Sequence, residues 1–264
     1  MDLNLEGKTA FITGSTAGIG FATARSLAKE GATVIINGRG EKKVKATVLK
    51  LKKEFPNTSI SGLTADFRNL KEVNLLIAQL PNIDILINNV GVYKSGSFFE
   101  SSDKDWYDQF EINVMSGVRL SKQILPKMLA SNWGRILFVS SECAVLVPPD
   151  MIGYSMTKTA ILAVSKGLSQ LTKGTQVTVN AVLPGSTLSE GAEQFLKDTA
   201  ERTGETKEAV EKGFFTNVRT SSLLQRFAKV EEIANTLTYL ASPLSSATNG
   251  AAIKIDGGST RGIL

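Results

Sequence analysis

Histidine is absent from all 264 residues of this sequence, and cysteine occurs only once, as Cys143. The lack of histidine excludes Ser-His-Asp hydrolysis and every zinc site that depends on imidazole ligands. One cysteine cannot form a disulfide within the chain. An enzyme built from this sequence would therefore take its acid or base from Tyr, Lys, Asp, Glu or a cofactor, and we expect no metal site.

Long apolar runs are also lacking. The longest stretches without a polar residue, glycine or proline have five residues, at 143–147 and 160–164. Because a membrane-spanning helix needs about 20 mostly apolar residues, we expect none and no membrane partner. The N-terminal MDLNLEGK has no cationic segment ahead of an apolar one, so a secretory signal is not expected either. With 42% hydrophobic and 21% charged residues, the composition indicates a globular protein, which we expect to be cytoplasmic.

The charge balance is mildly basic, with 30 Lys and Arg against 25 Asp and Glu. Lysines cluster at helical spacing, with apolar residues between them, in the segment 42–53. This pattern is typical of the solvated face of a surface helix, and nucleic-acid binding is the weaker alternative. We therefore expect a small-molecule substrate and no nucleic-acid partner.

Short apolar runs alternate with longer amphipathic stretches along the chain. The pattern predicts strands at 8–13, 32–37, 59–64, 83–87, 135–140, 176–182 and 252–255, and helices at 19–30, 41–54, 70–79, 103–130, 154–173 and 230–241. Strand–helix alternation with doubly buried strands is typical of a parallel sheet covered on both faces. We predict an α/β fold over 1–264, a single domain with a doubly wound, Rossmann-type sheet of seven parallel strands.

The segment 186–220 breaks this alternation. It places 35 residues, twelve of them charged, between a predicted strand and the next helix, with helical patterns at 195–200 and 206–212. Connections of that length are usually functional or mobile, and this one leaves the carboxyl end of a strand, where open α/β sheets bind ligands. We expect a lid over a pocket, with a plain surface insertion as the alternative.

A glycine-rich turn, TGSTAGIG at 13–20, joins the first predicted strand to the first helix. Glycines there allow a pyrophosphate to approach the backbone, where free N–H groups and the positive end of the helix dipole can bind it. The spacing differs from the commoner G-x-G-x-x-G, and no Gly-Lys-Ser/Thr marks a P-loop. Taken alone, the turn leaves a purely structural role open.

Tyr154 and Lys158 lie one helical turn apart and share a helix face, and Ser141 ends the predicted fifth strand. A free tyrosine titrates near pH 10, and a nearby ammonium favours the phenolate and lowers that pKa. A protein without histidine could build its general acid or base in this way, while Ser141 holds a carbonyl oxygen. Tyr-x-x-x-Lys is common by itself, so the inference depends on its combination with the glycine turn.

With these motifs in this order, the chain resembles the classical short-chain dehydrogenase/reductase (SDR) family over nearly its whole length. The resemblance is carried by TG-x3-GIG at 13–20, Asp66, NNVG at 88–91, Asn113, Ser141, Tyr154-x3-Lys158, Pro184-Gly185 and DGG at 256–258. It implies an NAD(P)-dependent oxidoreductase that transfers a hydride between nicotinamide and a carbonyl or secondary alcohol. The substrate could be a 3-oxoacyl thioester, a sugar or polyol, a steroid-like alcohol or a small ketone. The alternative is a non-catalytic dinucleotide-binding redox sensor or scaffold protein.

The resemblance also implies roles for individual residues. Tyr154 would be the general acid in reduction and the base in oxidation. Lys158 would lower its pKa and hold the nicotinamide ribose. Ser141 would polarise the substrate carbonyl, and Asn113 would position a water in the proton relay. The implied cofactor-binding residues are Gly14, Ser15, Thr16, Gly18, Ile19, Gly20, Arg39, Asp66, Phe67, Asn89, Gly91, Tyr154, Lys158, Pro184, Gly185, Thr187 and Ser189.

The end of the second strand bears on cofactor choice. An NAD-preferring site usually places an acidic residue there to accept from the ribose 2′-OH, but this chain has Gly38 followed by Arg39. A guanidinium matches a phosphate with a charge-assisted contact, although Arg39 could instead stack on adenine or lie in solvent. Ala17 stands in the glycine turn, where many NADP-dependent relatives carry a second basic residue. We predict that NADP(H) is preferred and NAD(H) still used.

The chain departs from the family pattern at two positions. Val90 stands where the family usually has alanine, and Ser189 stands where it usually has threonine. Cys143 is interpreted as a buried, inert thiol, because no histidine can activate it. The resemblance and the long helices at 103–130 and 154–173 predict a homo-oligomer, most simply a tetramer packed across twofold axes.

Overall fold

The computed structural model describes residues 2–263 and confirms the predicted fold class. Within that range, seven strands form one parallel sheet in the order β3-β2-β1-β4-β5-β6-β9. In chain order the strands are β1 (Thr9–Ile12), β2 (Thr33–Gly38), β3 (Ile60–Thr64), β4 (Ile85–Asn88), β5 (Gly134–Val139), β6 (Val177–Pro184), β7 (Thr187–Leu188), β8 (Ala228–Lys229) and β9 (Ala252–Ile255). The chain reverses direction across the sheet between β1 and β4, which is where open sheets of this kind bind ligands.

Helices cover both faces of the sheet. They are α1 (Gly18–Lys29), α2 (Glu41–Glu54), α3 (Leu70–Gln79), α4 (Asp103–Phe110), α5 (Ser116–Ala130), α6 (Cys143–Leu146), α7 (Ile152–Gln170), α8 (Glu190–Thr203), α9 (Lys207–Asn217) and α10 (Val230–Ala241). Leu27, Leu51 and Leu237 bring α1, α2 and α10 onto one face. Leu76 and Leu120, on α3 and α5, pack with α7 on the other. The lysines of α2 are exposed, as expected of a solvated helix face.

Most predicted boundaries lie within one to three residues of the observed ones. The predicted helix 103–130 is interrupted by a π-helical turn, Glu111–Met115, between α4 and α5. Ser141 does not end a strand, because β5 stops at Val139 and Ser141 lies in the following loop. Short elements with no sequence periodicity were not predicted, namely α6 and the strands β7 and β8.

The 186–220 segment folds around a small core of its own. Its two helical patterns form α8 and α9, and the core consists of Leu196, Val210 and Phe215 together with Phe227, which follows the segment. The rings of Phe214 and Phe227 stack with centroids 5.1 Å apart. Below these helices, β7 and β8 pair in parallel, so the chain enters and leaves this region at one point.

An apolar groove runs along the outer surface between α5 and α7. It is lined by Val118, Ser121, Lys122, Leu125, Pro126, Leu129, Val164, Leu168 and Leu171. Leu171 is 63% exposed at its end. Within residues 2–263, no helix has both the length and the apolar character that crossing a membrane requires.

Candidate active site

The glycine turn is shaped for close approach by a ligand. Gly14 and Gly18 have positive φ angles of 60° and 56°. A Cβ on Gly20 would lie 2.5 Å from both Asn89 Nδ2 and Gly14 O, so no larger residue fits there. Ala17 precedes α1 without a side-chain cap, and the first turn of α1 has no acidic residue. The amino end of the helix is therefore suited to the pyrophosphate of a dinucleotide.

Side-chain amides hold this turn against the neighbouring strands. Asn89 Nδ2 donates to the carbonyls of Thr13 at 2.9 Å and Gly14 at 3.1 Å. Asn37 Oδ1 accepts from the Gly14 N–H at 3.1 Å. The hydroxyl of Ser15 accepts from the Asn37 N–H at 2.9 Å and donates to the Ile12 carbonyl at 2.8 Å. Ser15 is fully buried, so its side chain joins the turn to β2 rather than facing a ligand.

Two adjoining cavities open at the carboxyl edge of the sheet, with volumes of about 330 Å³ and 710 Å³. Of the sequence-predicted residues, the smaller cavity is lined by Gly14, Thr16, Arg39, Asp66 and Phe67. The larger is lined by Ile19, Gly20, Ser141, Tyr154, Lys158, Pro184, Gly185, Thr187 and Ser189, and both cavities contact Asn89 and Gly91. Ser15, Gly18 and Asn113 lie behind these walls.

Positive charge surrounds the smaller cavity. Arg39, Lys43 and Arg68 line it together with one carboxylate, Asp66. Arg68 Nε donates to both Asp66 oxygens at 3.1 Å, and mainly for this reason the pKa of Asp66 is lowered. With Asp66 paired, Arg39 and Lys43 leave an excess of positive charge, which suits the additional phosphate of NADP(H).

Ser141, Tyr154 and Lys158 meet in the larger cavity. A hydrogen bond with Ser141 acts to lower the pKa of Tyr154, but burial has the larger effect and raises it. Lys158 Nζ donates to the Val139 carbonyl at 2.8 Å and lies 5.5 Å from the centroid of the Tyr154 ring. Burial lowers the pKa of Lys158 to about 8. Burial thus dominates the pKa of Tyr154, while the Lys158 ammonium donates to a carbonyl. The expectation that Lys158 lowers the pKa of Tyr154 stays a prediction.

Asn113 organises the floor of this site from within the π-helical turn. Its Oδ1 accepts from the Val92 N–H at 2.8 Å, and its Nδ2 donates to the Val92 carbonyl and to Thr157 Oγ1, both at 2.9 Å. A Cβ on Gly91 would lie 3.3 Å from Lys158 Nζ and 3.5 Å from Asn113 Oδ1. Since both amide N–H bonds of Asn113 are used within the protein, its side chain ties the loop after β4 to α7. Its role in positioning a water stays a prediction.

The loop after β6 forms the opposite wall. A Cβ on Gly185 would lie 2.7 Å from the Cα of Asp256, so glycine is needed for the close packing of these two backbones. Thr187 Oγ1 donates to the Gly185 carbonyl at 2.9 Å. The Ser189 side chain caps α8 by accepting from the Ala192 N–H. The Pro-Gly motif and its hydroxyls therefore set the position of the 186–220 segment over the cavity.

A buried ion pair in the larger cavity was not predicted from the sequence. Arg219 Nε donates to Glu142 Oε1 at 2.9 Å, and the Glu142 side chain is only 3% exposed. Burial raises the pKa of Glu142, and the Arg219 charge opposes that rise. Neighbouring Cys143 is also buried, which raises the pKa of its thiol and favours the expected inert role. The pair joins residues 77 positions apart, a separation for which local patterns carry no signal.

Comparison with known proteins agrees with this geometry. Residues 8–200 match the family model described as short chain dehydrogenase. The chain is 45% identical over 263 residues to the uncharacterized oxidoreductase YvaG of Bacillus subtilis, with 100% of both chains covered. It is 30% identical over 262 residues to the 3-oxoacyl-(acyl-carrier-protein) reductase FabG of Aquifex aeolicus, covering 98% of this chain and 99% of the relative. The solved L-sorbose reductase of Gluconobacter frateurii, complexed with NADPH and L-sorbose, matches with a TM-score of 0.93 and 29% identity over 100% of both chains.

Proposed function

This chain belongs to the short-chain dehydrogenase family of oxidoreductases, and on that premise we propose that it reduces a ketone with NADP(H), using Tyr154 as the general acid. The observation that carries the proposal is the meeting of Ser141, Tyr154 and Lys158 in one cavity that adjoins the glycine turn. Relatives named as oxidoreductases and reductases make the non-catalytic alternative the less favoured one.

The protein groups divide the work between binding and proton transfer. Bound NADPH would supply the hydride, with its pyrophosphate at the amino end of α1 and its nicotinamide ribose near Lys158. The Ser141 hydroxyl donates a hydrogen bond to the substrate carbonyl oxygen. Tyr154 then gives its proton to that oxygen as negative charge develops there.

The protonation state of Tyr154 suits its proposed role as a general acid. Burial raises its pKa, which favours the protonated phenol that donates to the carbonyl oxygen in reduction. In the oxidation of an alcohol, the same residue would act as the base.

The smaller cavity supports NADP(H) as the preferred cofactor, with NAD(H) used less well. Arg39 and Lys43 supply cations beside Gly38, and no acidic residue stands at that position to repel a phosphate. The similar L-sorbose reductase binds NADPH. Arg39 is the residue that we propose contacts the extra phosphate.

The larger cavity supports a small polar ketone as the substrate. Its wall combines charged groups such as Glu142 and Arg219 with the aromatic side chains of Phe195 and Phe214. Sugar-like ketones and 3-oxoacyl thioesters are candidates through the similar L-sorbose reductase and FabG. We propose that the 186–220 segment, which carries Phe195, Phe214 and Arg219, acts as a lid over whichever substrate binds.

The test is a turnover screen of the purified protein against ketones of these classes with each reduced cofactor, following nicotinamide absorbance. We expect oxidation of NADPH that depends on a ketone. Cofactor binding, read from quenching of nicotinamide fluorescence, without turnover of any carbonyl compound would contradict the proposal and favour a binding protein.

A further inference from the structure

Arg219 occupies an unusual position for a charged side chain. It follows α9 and lines the larger cavity opposite the loop that carries Ser141. Its side chain is only 12% exposed, and its guanidinium lies 5.9 Å from the ring centroid of Phe214. A nearly buried guanidinium has lost most of its water, so it requires acceptors in the protein or in a ligand.

The protein satisfies only one edge of this guanidinium. Within residues 2–263, its one oxygen acceptor is Glu142 Oε1, which takes the Nε–H at 2.9 Å. The thiol of Cys143 is a further neighbour of the guanidinium, but it is a weak acceptor. The two terminal nitrogens, Nη1 and Nη2, are therefore left without an oxygen partner in the wall of the cavity. Glu142 fixes the position of the guanidinium through its Nε–H group.

A planar pair of N–H donors matches the two oxygens of a carboxylate, and such bidentate contacts are stronger than neutral hydrogen bonds. The surrounding lid wall is apolar, formed by Phe195, Phe214, Val218 and Phe227. Arg219 is thus the cation available to an anion in a low-dielectric pocket, since Lys158 is committed to Val139 and the proposed chemistry.

We propose that Arg219 is a specificity-determining residue that binds a carboxylate on the substrate, so that the preferred substrates are oxo acids. The inference rests on the proposed function, because the carbonyl of the same molecule must reach Ser141 and Tyr154. Glu142 is a positioning residue that fixes Arg219 and does not itself contact the substrate. A neutral ketone would leave Nη1 and Nη2 of Arg219 without a charged acceptor.

The test compares oxo acids with their methyl esters, which keep the carbonyl and chain length but remove the charge. The series runs from acetoacetate through levulinate to longer homologues. We expect at least one acid to exceed its ester in kcat/KM by about ten- to a hundredfold, as one charge-assisted contact would give. The preference should appear in KM rather than in kcat.

Removing Arg219 alone would leave Glu142 buried and unpaired, so the informative variant is the double change Glu142→Gln with Arg219→Gln. It keeps a neutral, hydrogen-bonded pair and should lower the acid-to-ester ratio towards one while ester turnover persists. Arg219→Lys, which keeps the charge but loses the fork, should give an intermediate ratio. Lys94→Gln is the control, because Lys94 is a nearby cation that is 59% exposed and pairs with Asp105 outside this cavity.

The melting temperature in the presence of excess oxo acid measures binding of the acid independently of turnover. The acids should raise the melting temperature of the wild type and of Lys94→Gln, but not that of the double variant. Equal use of acid and ester by the wild type, or the same ratio in the double variant, would overturn the role of Arg219. If no carbonyl compound is reduced but the acids still stabilise only the proteins that keep Arg219, the proposed reaction fails and the carboxylate site stands.

Discussion

The Cγ2 methyl group of Thr16 lies 2.6 Å from the position that a Cβ at residue 38 would occupy, so any residue larger than Gly38 requires the side chain of Thr16 to shift. Val44 Cγ2, at 3.2 Å from the same position, adds to the crowding. The acidic residue of an NAD-preferring site is therefore costly to introduce here by one substitution. We expect Gly38→Asp to lower the stability by roughly 1–3 kcal/mol, as overpacking does, and to weaken both cofactors. Gly38→Asp with Thr16→Gly should recover the melting temperature and shift the kcat/KM ratio towards NADH. Full stability of Gly38→Asp alone would contradict this steric account.

Arg39→Ala should reduce the preference for NADPH over NADH by about ten- to a hundredfold, the effect of losing one charge-assisted contact. The measurement is kcat/KM for both reduced cofactors on one ketone. Lys52→Ala removes an exposed lysine near the far end of α2 and should leave the ratio unchanged. An unaltered ratio in Arg39→Ala would remove Arg39 from the proposed role.

Tyr154→Phe should lower kcat by at least the 10²–10⁴-fold typical of general acid catalysis, while cofactor binding persists. Phenylalanine keeps the ring packing and removes only the proton donor. Turnover and nicotinamide fluorescence measure the two properties separately. Tyr107→Phe, at a site that is 73% exposed, is the matched control. Retention of more than about a tenth of the activity would identify a different acid.

Lys158→Met should stabilise the protein at neutral pH. The pKa of Lys158 is about 8 in the folded chain, against 10.5 for a free lysine, so below pH 8 both states hold the proton. In that pH range, burial of the ammonium lowers the free energy of unfolding of the wild type by about 3 kcal/mol. Lys158→Met removes this cost but also loses the hydrogen bond to Val139, which contributes about 1 kcal/mol. Between pH 8 and 10.5 the unfolded chain binds more protons, so the contribution of Lys158 to the free energy of unfolding rises with pH.

Melting temperatures of Lys158→Met and wild type between pH 7 and 10 provide that measurement. The advantage of the variant should be largest at pH 7 and shrink as the pH rises towards 10. A difference that does not change with pH would mean that the buried ammonium carries no such cost.

The groove between α5 and α7 should be covered in a homotetramer. Leu171→Glu places a charge at the end of the groove, so light scattering should show dissociation towards the 28.3 kDa monomer. Leu75→Glu on α3 is the control, because Leu75 is 64% exposed, nearly the same as Leu171 at 63%. A wild type that is monomeric at working concentration, or a tetramer that survives Leu171→Glu, would contradict this assignment.

Local sequence signals predicted most of the fold. The helix Glu41–Glu54 has its predicted boundaries because Gly40 precedes it and Pro56 follows it, and the spacing of its apolar residues matches one buried face. Inner strands such as β1 and β4 are short, mostly apolar runs, which is typical of parallel strands buried on both sides. In contrast, β7 and β8 have two residues each, too few for any periodicity to appear.

The sequence predicted which residues meet in the site, but not their hydrogen-bond partners or the directions of their pKa shifts. Tyr154 and Lys158 lie on one helix face, as their spacing indicates, yet the spacing does not reveal that the Val139 carbonyl takes the ammonium. Desolvation likewise depends on the complete tertiary structure, so the direction of the Tyr154 pKa shift could not be read from neighbours in sequence. The ion pair between Glu142 and Arg219 was missed for the same reason, since only folding brings these distant residues together.

The pairing of β7 with β8 also bears on how this protein can change over evolutionary time. The two short strands hold the ends of residues 189–227 together, and this region has its own core around Phe215. Substitutions or insertions between these strands could therefore reshape one wall of the larger cavity while the seven-stranded sheet keeps its register. If this wall binds the substrate, as we propose, new substrate ranges could arise in this region with Ser141 and Tyr154 unchanged.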